Sequence, residues 1–290
     1  MKRNCPICDL ESSNLYLEEN FHPEKLNEFS FASRKEPEPF NMRLYLCENC
    51  DLLYANPALS QSLVYHEYEN ASFNSSVEAA YAARTYAKYL PKKSLVKSAL
   101  DIGCGGGEFL HELQKNGVKN ICGIEPSSAA IATANKPVKP FIKQGFFDKN
   151  LYNAAQFDLV SCFQTLEHVF DPLKLSRDVN SILKNDGHFY VVVHNFRGQI
   201  NRMMGKKSPI YDIEHLQLFS PKSLRILLET AGFKNIEVFS IINTYPLSYW
   251  VKLLPKIPAK KQISSFIRKI KLANLPIALP IGNLAAIATK

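Results

Sequence analysis

The sequence predicts a doubly wound α/β fold with a mostly parallel sheet, preceded by a small N-terminal zinc-binding module. Between residues 98 and 245, short apolar runs alternate with helical patterns, which is typical of a parallel sheet covered on both faces. A glycine-rich turn joins the first apolar run to an amphipathic helix. Two Cys-x-x-Cys pairs precede this region, within residues 1–58.

The composition is that of an ordinary globular chain. The chain has 290 residues, of which 46% are hydrophobic and 21% charged. Its basic start is not followed by an apolar segment, and no stretch is long enough to span a bilayer. Seven cysteines without an export signal indicate a reducing compartment. We therefore expect a cytoplasmic protein.

The net charge of +8 is concentrated at one end of the chain. From Pro246 to Lys290 the sequence has eight basic residues and no acidic one, so the remaining 27 basic residues balance all 27 acidic residues. This pattern argues against a broad nucleic-acid-binding face and favours one local anionic partner.

The cysteine pairs Cys5–Cys8 and Cys47–Cys50 have the spacing of zinc knuckles. Two residues between cysteines allow both sulfurs to face one ion, and two such turns complete a tetrahedral site. We expect a structural zinc ion within a module of residues 1–58, because four thiolates leave no position for a catalytic water. A redox dithiol is the competing interpretation.

Residues 59–97 are polar and rich in tyrosine, and predict a helical connector or lid with a helix near Val77–Leu90 that ends at Pro91. A third unit spans residues 98–290. Its apolar runs predict strands at Ala99–Ile102, Asn120–Glu125, Phe141–Gln144, Asp158–Phe163, His188–His194 and Asn235–Ile242. The patterns between them predict helices at Gly107–Asn116, Ser127–Asn135, Leu173–Leu183 and Pro221–Ala231.

The glycine turn lies in Leu100-Asp101-Ile102-Gly103-Cys104-Gly105-Gly106-Gly107-Glu108. Glycines at a helix N-terminus let a ligand lie directly on the backbone, and that ligand is a dinucleotide or another adenosine cofactor. The dinucleotide fingerprint fails, because Glu108 occupies its third glycine position and would repel a pyrophosphate. The acidic rim suits the cationic S-adenosylmethionine. Glu125, at the tip of the next strand, is placed to accept both ribose hydroxyls.

These motifs resemble class I S-adenosylmethionine-dependent methyltransferases. The resemblance rests on DIGCGGGEFL, GIEPSSAA, FDLVSCFQTLEHVFDP, LKNDGHFYVVVHN and EHLQLFSPKSLRILLETAGF. It implies a seven-stranded Rossmann-like sheet whose last, antiparallel strand is Asn283–Thr289. It also implies cofactor contacts for the methionine part (Asp101, Gly103, Gly105 and Gly107), the ribose (Glu125), the adenine (Phe146 and Phe147) and the methionyl group (Phe163 and Gln164).

The knuckle pair adds a resemblance to deoxysugar C-methyltransferases and to methyltransferases of surface-polysaccharide biosynthesis. The sugar C-methyltransferases have a further large domain that supplies the base and has no counterpart here, so O- and N-methylation stay open. We expect a small anionic acceptor, such as a nucleotide-linked or lipid-linked sugar. An RNA methyltransferase and a Rossmann-type NAD-dependent oxidoreductase are the alternatives.

Three histidines fall near the carboxyl ends of predicted strands, where a doubly wound sheet carries its reacting groups. We expect His215 to act as general base, held by the flanking Asp212 and Glu214, with His194 as second candidate. His168 is expected to order its loop.

The basic segment at residues 246–280 interrupts a predicted hairpin, and insertions of this length usually have a function. It combines apolar residues at helical spacing with bases that include Lys260 and Lys261. We expect a lid that binds the anionic part of the acceptor, and the alternative is a peripheral contact with an anionic membrane.

Overall fold

The computed structural model describes residues 2–11, 13–20, 40–70, 77–91, 96–253 and 260–290. The side chains of residues 77, 252–253, 260–261, 264, 268 and 281 lie outside this description. The described strands are β1 (Ser13–Leu17), β2 (Leu44–Cys47), β3 (Leu53–Ala55), β4 (Ser98–Ile102), β5 (Asn120–Glu125), β6 (Ile142–Gln144), β7 (Phe157–Phe163), β8 (Leu183–His194), β9 (Gln217–Leu218), β10 (Lys234–Pro246) and β11 (Pro276–Thr289). The described helices are α1 (Gln61–Asn70), α2 (Val77–Ala87), α3 (Glu108–Lys115), α4 (Ser128–Ala132), α5 (Pro172–Ile182), α6 (Gln199–Met204), α7 (Pro221–Thr230), α8 (Leu247–Leu253) and α9 (Lys260–Lys269).

Seven strands form the central sheet, in the order β10-β11-β8-β7-β4-β5-β6. The strands from β4 to β8 pair in parallel, whereas β11 pairs antiparallel with both β8 and β10. The predicted doubly wound sheet with one antiparallel strand is therefore confirmed. All five residues of β4 are buried, as are Phe189 to Val193 of β8, because helices cover both faces of the sheet.

Each face of the sheet has its own core. On one face, α5 and α7 bury leucine, valine and isoleucine side chains against the sheet. On the other face, α2 contributes Ala82, Ala83 and Tyr86, which pack with Phe109, Leu110 and Leu113 of α3. The helices place their apolar residues at positions three and four apart, which is the spacing that faces one side of a helix.

The N-terminal cysteine region forms a second sheet, in the order β1-β2-β3-β9. Its fourth strand, β9, comes from the chain between β8 and α7, outside the predicted module of residues 1–58. Arg3 strengthens this junction, because its guanidinium donates to the carbonyl oxygens of Leu216 at 2.6 Å, Ala55 at 3.0 Å and Phe170 at 3.1 Å. The cysteine region is thus joined to the larger domain by backbone pairing.

The C-terminal hairpin is longer than predicted. Strands β10 and β11 stay paired as far as Pro246 and Pro276, so the insertion runs from residue 247 to 275 rather than from 246 to 280. A register shift between Ile241 and Asn243 accommodates extra residues on β11, which include Pro280. Among the described residues, no helix is long and apolar enough to cross a membrane.

Candidate active site

The glycine turn connects β4 to α3 and requires its glycines. Gly103, Gly105 and Gly107 have φ values of 71°, 54° and 77°, in the left-handed region that disfavours side chains. A Cβ atom at Gly103 would lie 2.5 Å from Thr165 Oγ1. The Gly103 amide donates to the carbonyl oxygen of Ile124 at 2.9 Å, which fixes the turn against the end of β5. The turn is therefore a fixed cradle of backbone.

Two buried carboxyl groups flank this turn. Asp101 is buried one residue before the end of β4 and accepts a hydrogen bond from Ser161 Oγ at 2.6 Å. Burial raises the pKa of Asp101 to about 7, against a hydrogen bond from Ser161 that lowers it. The two oxygens of Glu125 accept the amides of Gly105 at 2.9 Å and Ser127 at 3.0 Å, and burial raises the pKa of this carboxyl too.

The phenylalanines predicted to contact the cofactor pack against other aromatic side chains. Phe146 stacks on Tyr65 of α1, with ring centroids 3.9 Å apart and 13° between the planes. Phe163 lies 4.6 Å from Tyr86 of α2 and 4.7 Å from Phe109, measured between ring centroids. Phe146 and Phe163, two of the three phenylalanines predicted to contact the cofactor, thus have aromatic partners.

Gln164 has a φ of 49°, and its amide donates to the carbonyl oxygen of Val192 at 2.6 Å. This left-handed residue turns the chain sharply at the end of β7, so that Gln164 faces the cavity instead of continuing the strand.

One cavity of about 840 Å³ joins the predicted cofactor residues to the predicted catalytic histidines. The predicted residues that line it are Asp101, Gly103, Gly105, Glu125, Phe146, Phe147, Phe163, Gln164, His194 and His215. Gly107 is not part of the lining. It has a packing role instead, since a Cβ there would lie 2.9 Å from Ile142 Cδ1 and 3.1 Å from Val138 Cγ2.

Three histidines meet at the far side of this cavity. The ring centroid of His215 lies 4.9 Å from that of His168 and 5.0 Å from that of His194. Nδ1 of His215 donates to the carbonyl oxygen of Ile210 at 2.8 Å, and Nδ1 of His168 lies 3.0 Å from the carbonyl oxygen of Glu214. Because a carbonyl oxygen only accepts, Nδ1 of His215 carries a proton, and Nε2 holds the lone pair when this ring is neutral.

Glu167 orients the third histidine and was not predicted from the sequence. Its Oε1 accepts the backbone amide of His194 at 2.6 Å and lies 3.1 Å from Nδ1 of the same residue. The Glu167 side chain is fully buried, and its Oε2 has no hydrogen-bond partner among the described residues. The sequence did contain a signal for Glu167, because this residue follows β7 and so lies at the carboxyl edge of a parallel sheet.

Tyr68 of α1 also reaches the histidines, with its Oη 2.7 Å from Nδ1 of His168. Burial, followed by the charges of Glu214 and Asp212, raises the pKa of Tyr68, so the phenol stays protonated. Burial lowers the pKa of His168, which favours its neutral form. The predicted connector at residues 59–97 therefore supplies part of the cavity wall.

Two asparagines on the strands beside the histidines are also buried. Asn283 of β11 pairs with His194 of β8, and its side chain lines the cavity. On β10, Ile241 is the strand partner of Asn283. Asn243 lies two residues after Ile241 and therefore on the same face of the sheet. The described part of the chain offers no hydrogen-bond partner to Asn283 Nδ2 or to either polar atom of the Asn243 side chain.

The charged residues of the cavity lining are mostly acidic. Seven carboxyl groups and one lysine contribute to it, namely Asp101, Glu108, Glu125, Asp171, Asp178, Asp212, Glu214 and Lys174. From the C-terminal insertion, Tyr249 and Trp250 of α8 line the cavity. The side chains of Lys260 and Lys261, which carry the predicted contact with an anionic acceptor, lie outside the described residues.

The four N-terminal cysteines form one compact cluster. The Sγ atoms of Cys5 and Cys50 are 3.4 Å apart, as are those of Cys8 and Cys47, and all four lie within 4.8 Å of one another. Zinc–sulfur bonds of about 2.3 Å in a tetrahedron require sulfur separations of about 3.8 Å. The donor set and its dimensions therefore fit a zinc ion.

Comparison with known proteins agrees with this geometry. The profile of a family described as "Methyltransferase domain" matches residues 73–238. A tRNA U34 carboxymethyltransferase of Campylobacter fetus is 29% identical over 155 residues, covering 51% of this chain and 55% of that protein. A ubiquinone biosynthesis O-methyltransferase of Coxiella burnetii is 25% identical over 174 residues, covering 55% of this chain and 74% of that protein. The matched part of this chain thus spans about half to three quarters of the length of these relatives.

Among solved structures, a SAM-dependent methyltransferase from Archaeoglobus fulgidus superposes with a TM-score of 0.52 and 19% identity, over 80% of this chain and 100% of that one. This likeness supports the fold. The family match overturns the alternative of an NAD-dependent oxidoreductase, as the acidic Glu108 in the glycine turn had indicated.

Proposed function

The chain belongs to the methyltransferase-domain family and is an S-adenosylmethionine-dependent methyltransferase, and from this premise we propose that it methylates a hydroxyl group of a sugar conjugate. We take this conjugate to be a small nucleotide-linked or lipid-linked sugar with an anionic group, of the kind used in surface-polysaccharide biosynthesis. The observation that carries the proposal is the single cavity that joins the glycine cradle to the histidine cluster.

The cradle fits S-adenosylmethionine on the chemistry of its own residues. Gly103 and Gly105 line the cavity with backbone, Asp101 offers a carboxylate to an ammonium group, and Glu125 offers one to the ribose hydroxyls. The cofactor supplies a methyl group activated by a positively charged sulfonium. Glu125 has a second function, because it also holds the amides of Gly105 and Ser127.

The histidines are suited to remove the proton of an acceptor hydroxyl. We assign this role to His215 and, second, to His194, whose neutral rings present the Nε2 lone pair when Nδ1 is engaged by an oxygen acceptor. Glu167 behind His194 stabilises the ring when it takes up a proton. The proton thus passes from the hydroxyl to Nε2, while the hydroxyl oxygen gains the methyl group.

Asn283, which lines the cavity, favours an acceptor with several hydroxyls. A buried polar group without a partner costs about 1–3 kcal/mol, and a carboxamide both donates to and accepts from hydroxyl groups. The acidic lining disfavours a phosphate inside the cavity. We therefore propose that the sugar enters the cavity while the anionic group stays outside, nearer to the basic insertion.

We further propose that Cys5, Cys8, Cys47 and Cys50 hold a structural zinc ion. Four thiolates saturate a tetrahedral site, so the ion would stabilise the β1-β2-β3-β9 sheet rather than take part in methyl transfer.

A methyl-transfer assay tests this proposal. Purified protein is incubated with S-adenosylmethionine and a panel of nucleotide-linked hexoses and deoxysugars, and the products are analysed for the mass of one added methyl group. We expect transfer to at least one sugar conjugate, and slower transfer in His215→Ala with little change in cofactor binding. Cofactor binding without transfer to any panel member, together with transfer to tRNA, would overturn the sugar proposal.

An RNA methyltransferase is the second candidate function. The tRNA-modifying relative at 29% identity favours it. The balanced charge of residues 1–245 argues against it, because RNA binding relies on an excess of basic residues over a wide face. The same assay with total tRNA as acceptor distinguishes the two candidates.

A further inference from the structure

Exposed large hydrophobic side chains are concentrated at the C-terminal insertion. Twelve such side chains are found among the described residues, and five of them fall within residues 266–279. These five are Phe266, Ile270, Leu272, Leu275 and Leu279. We call them the apolar patch. Single exposed hydrophobic residues need no explanation, but a group of this density marks an interaction surface.

Helix α9 shows how the patch arises. Ile267 is buried, whereas Phe266 is 61% and Ile270 is 43% exposed. The Ile270 amide donates to the Phe266 carbonyl oxygen at 3.0 Å, so the helical geometry continues to Ile270 and places both side chains on one stripe. The protein therefore covers only part of the apolar side of this helix.

The sequence that carries the patch is basic. The segment from Pro246 to Lys290 has eight basic residues and no acidic one, and it accounts for the whole net charge of +8. Within the patch, Lys269 and Lys271 are exposed between the apolar residues. An apolar stripe edged by lysines, with no carboxylate nearby in sequence, matches the interface of a bilayer that contains anionic lipids.

The patch also adjoins the cavity. Leu279, which is 38% exposed, lines the cavity together with Tyr249 and Trp250. The indole Nε1 of Trp250 donates to the carbonyl oxygen of Ile277 at 3.0 Å, and Leu247 is tied to Leu275 by a backbone hydrogen bond of 2.9 Å. A surface bound to the patch would therefore lie beside the cavity.

We propose that the apolar patch and its lysines dock this protein peripherally on an anionic lipid bilayer. Phe266 and Ile270 enter the boundary between headgroups and acyl chains, while Lys269 and Lys271 contact the phosphates. Docking concerns the outer surface of the insertion and does not depend on the identity of the methyl acceptor.

Vesicle co-sedimentation tests the docking. The full chain is pelleted with vesicles of phosphatidylcholine alone or of phosphatidylcholine and phosphatidylglycerol at three to one. We expect binding to the mixed vesicles to be about ten-fold or more stronger, and to fall when salt is raised to about 0.5 M, because salt screens surface charges.

Variants separate the two contributions of the patch. The double variant Phe266→Ser/Ile270→Ser should lose about ten-fold or more in binding to the mixed vesicles, because apolar burial is lost. The double variant Lys269→Glu/Lys271→Glu should lose its preference for anionic lipid. The matched controls are Met203→Ser, which removes a side chain that is 87% exposed, and Leu151→Ser, and both should bind like the wild type.

Titration with S-adenosylmethionine checks that every variant is folded. Wild-type protein that binds both vesicle types equally, or a folded Phe266→Ser/Ile270→Ser variant that binds like the wild type, would overturn the proposal. Light scattering, which measures the oligomeric state, tests the alternative that a second copy of this chain covers the patch. A wild-type dimer that this variant converts to a monomer, without any lipid binding, would show that the patch is covered by a second copy.

Discussion

Replacing Asp101 by asparagine should stabilise the ligand-free protein, and the gain should grow with pH. Asp101 is buried at the end of β4, and burial raises its pKa from 3.8 to about 7. Asparagine has nearly the same shape and keeps an oxygen that accepts the hydrogen bond of Ser161 Oγ. The substitution therefore removes an unfavourable buried charge and little else.

The size of the effect follows from the two pKa values. Between pH 3.8 and 7 the folded state holds a proton on Asp101 that the unfolded state has released, so stability falls as pH rises through this window. At about 1.4 kcal/mol per pH unit, the penalty is on the order of 4 kcal/mol at pH 8 and on the order of 2 kcal/mol at pH 5. Below pH 3.8 it disappears.

Urea unfolding at pH 5 and pH 8 measures this difference. Asp158 on the neighbouring strand is the matched control. Burial raises its pKa, but hydrogen bonds from Lys184 and Ser98 outweigh burial and lower it. Asp158→Asn should therefore destabilise the protein at pH 8. Two results would contradict this reasoning. Asp101→Asn could have a lower free energy of unfolding than the wild type at pH 8, or the increase in this free energy could be equal at pH 5 and pH 8. Either result would mean that the folded state does not disfavour the carboxylate.

The same substitution should weaken cofactor binding. A bound ammonium group favours the ionised form of Asp101, so wild-type affinity for S-adenosylmethionine should rise between pH 6 and pH 8. Isothermal titration should show that Asp101→Asn binds S-adenosylmethionine more weakly than the wild type, and that its affinity does not rise between pH 6 and pH 8. An affinity that is equal in the two proteins at pH 8 would mean that the ammonium group is bound elsewhere.

Three further predictions concern the other parts of the site. Protein prepared without chelator should carry about one zinc ion per chain, and Cys47→Ser should lose it; metal analysis that finds none in the wild type contradicts the zinc site. Glu125→Ala should weaken binding of S-adenosylmethionine by about ten-fold or more and also lower stability, because the amides of Gly105 and Ser127 lose their acceptor; unchanged affinity by titration would rule out a ribose contact. Both His215→Ala and His194→Ala should lower kcat with little change in cofactor affinity, and wild-type turnover in both would mean that positioning alone drives the reaction.

The cofactor side of the site was accessible from the sequence because its chemistry is local. Gly103 and Gly105 are needed where a strand turns into a helix, and Glu125 ends the adjacent strand, so spacing along the chain reflects distance in space. The alternation of strands and helices along the chain followed from the same short-range pattern of apolar runs.

The acceptor side was less accessible because it is assembled from distant segments. Tyr68 and His168 are 100 residues apart, and Glu167 and His194 are 27 residues apart, yet each pair is in direct contact. Pro246 and Pro280 suggested breaks in the last two strands, but the bulge in the hairpin accommodates Pro280 and pairing continues to Pro246. Such contacts depend on register and bulges, which residue patterns do not specify.

The pairing of β3 with β9 affects the order in which this chain can fold during synthesis. Leu53 and Leu218 are register partners although 165 positions separate them. On the ribosome, β1 to β3 emerge long before β9, so the edge of β3 stays open while the intervening residues are made. The cysteine cluster can close early, but its sheet gains a fourth strand when the segment just after His215 arrives. The cysteine region and the loop that carries His215 therefore reach their final form in the same folding step.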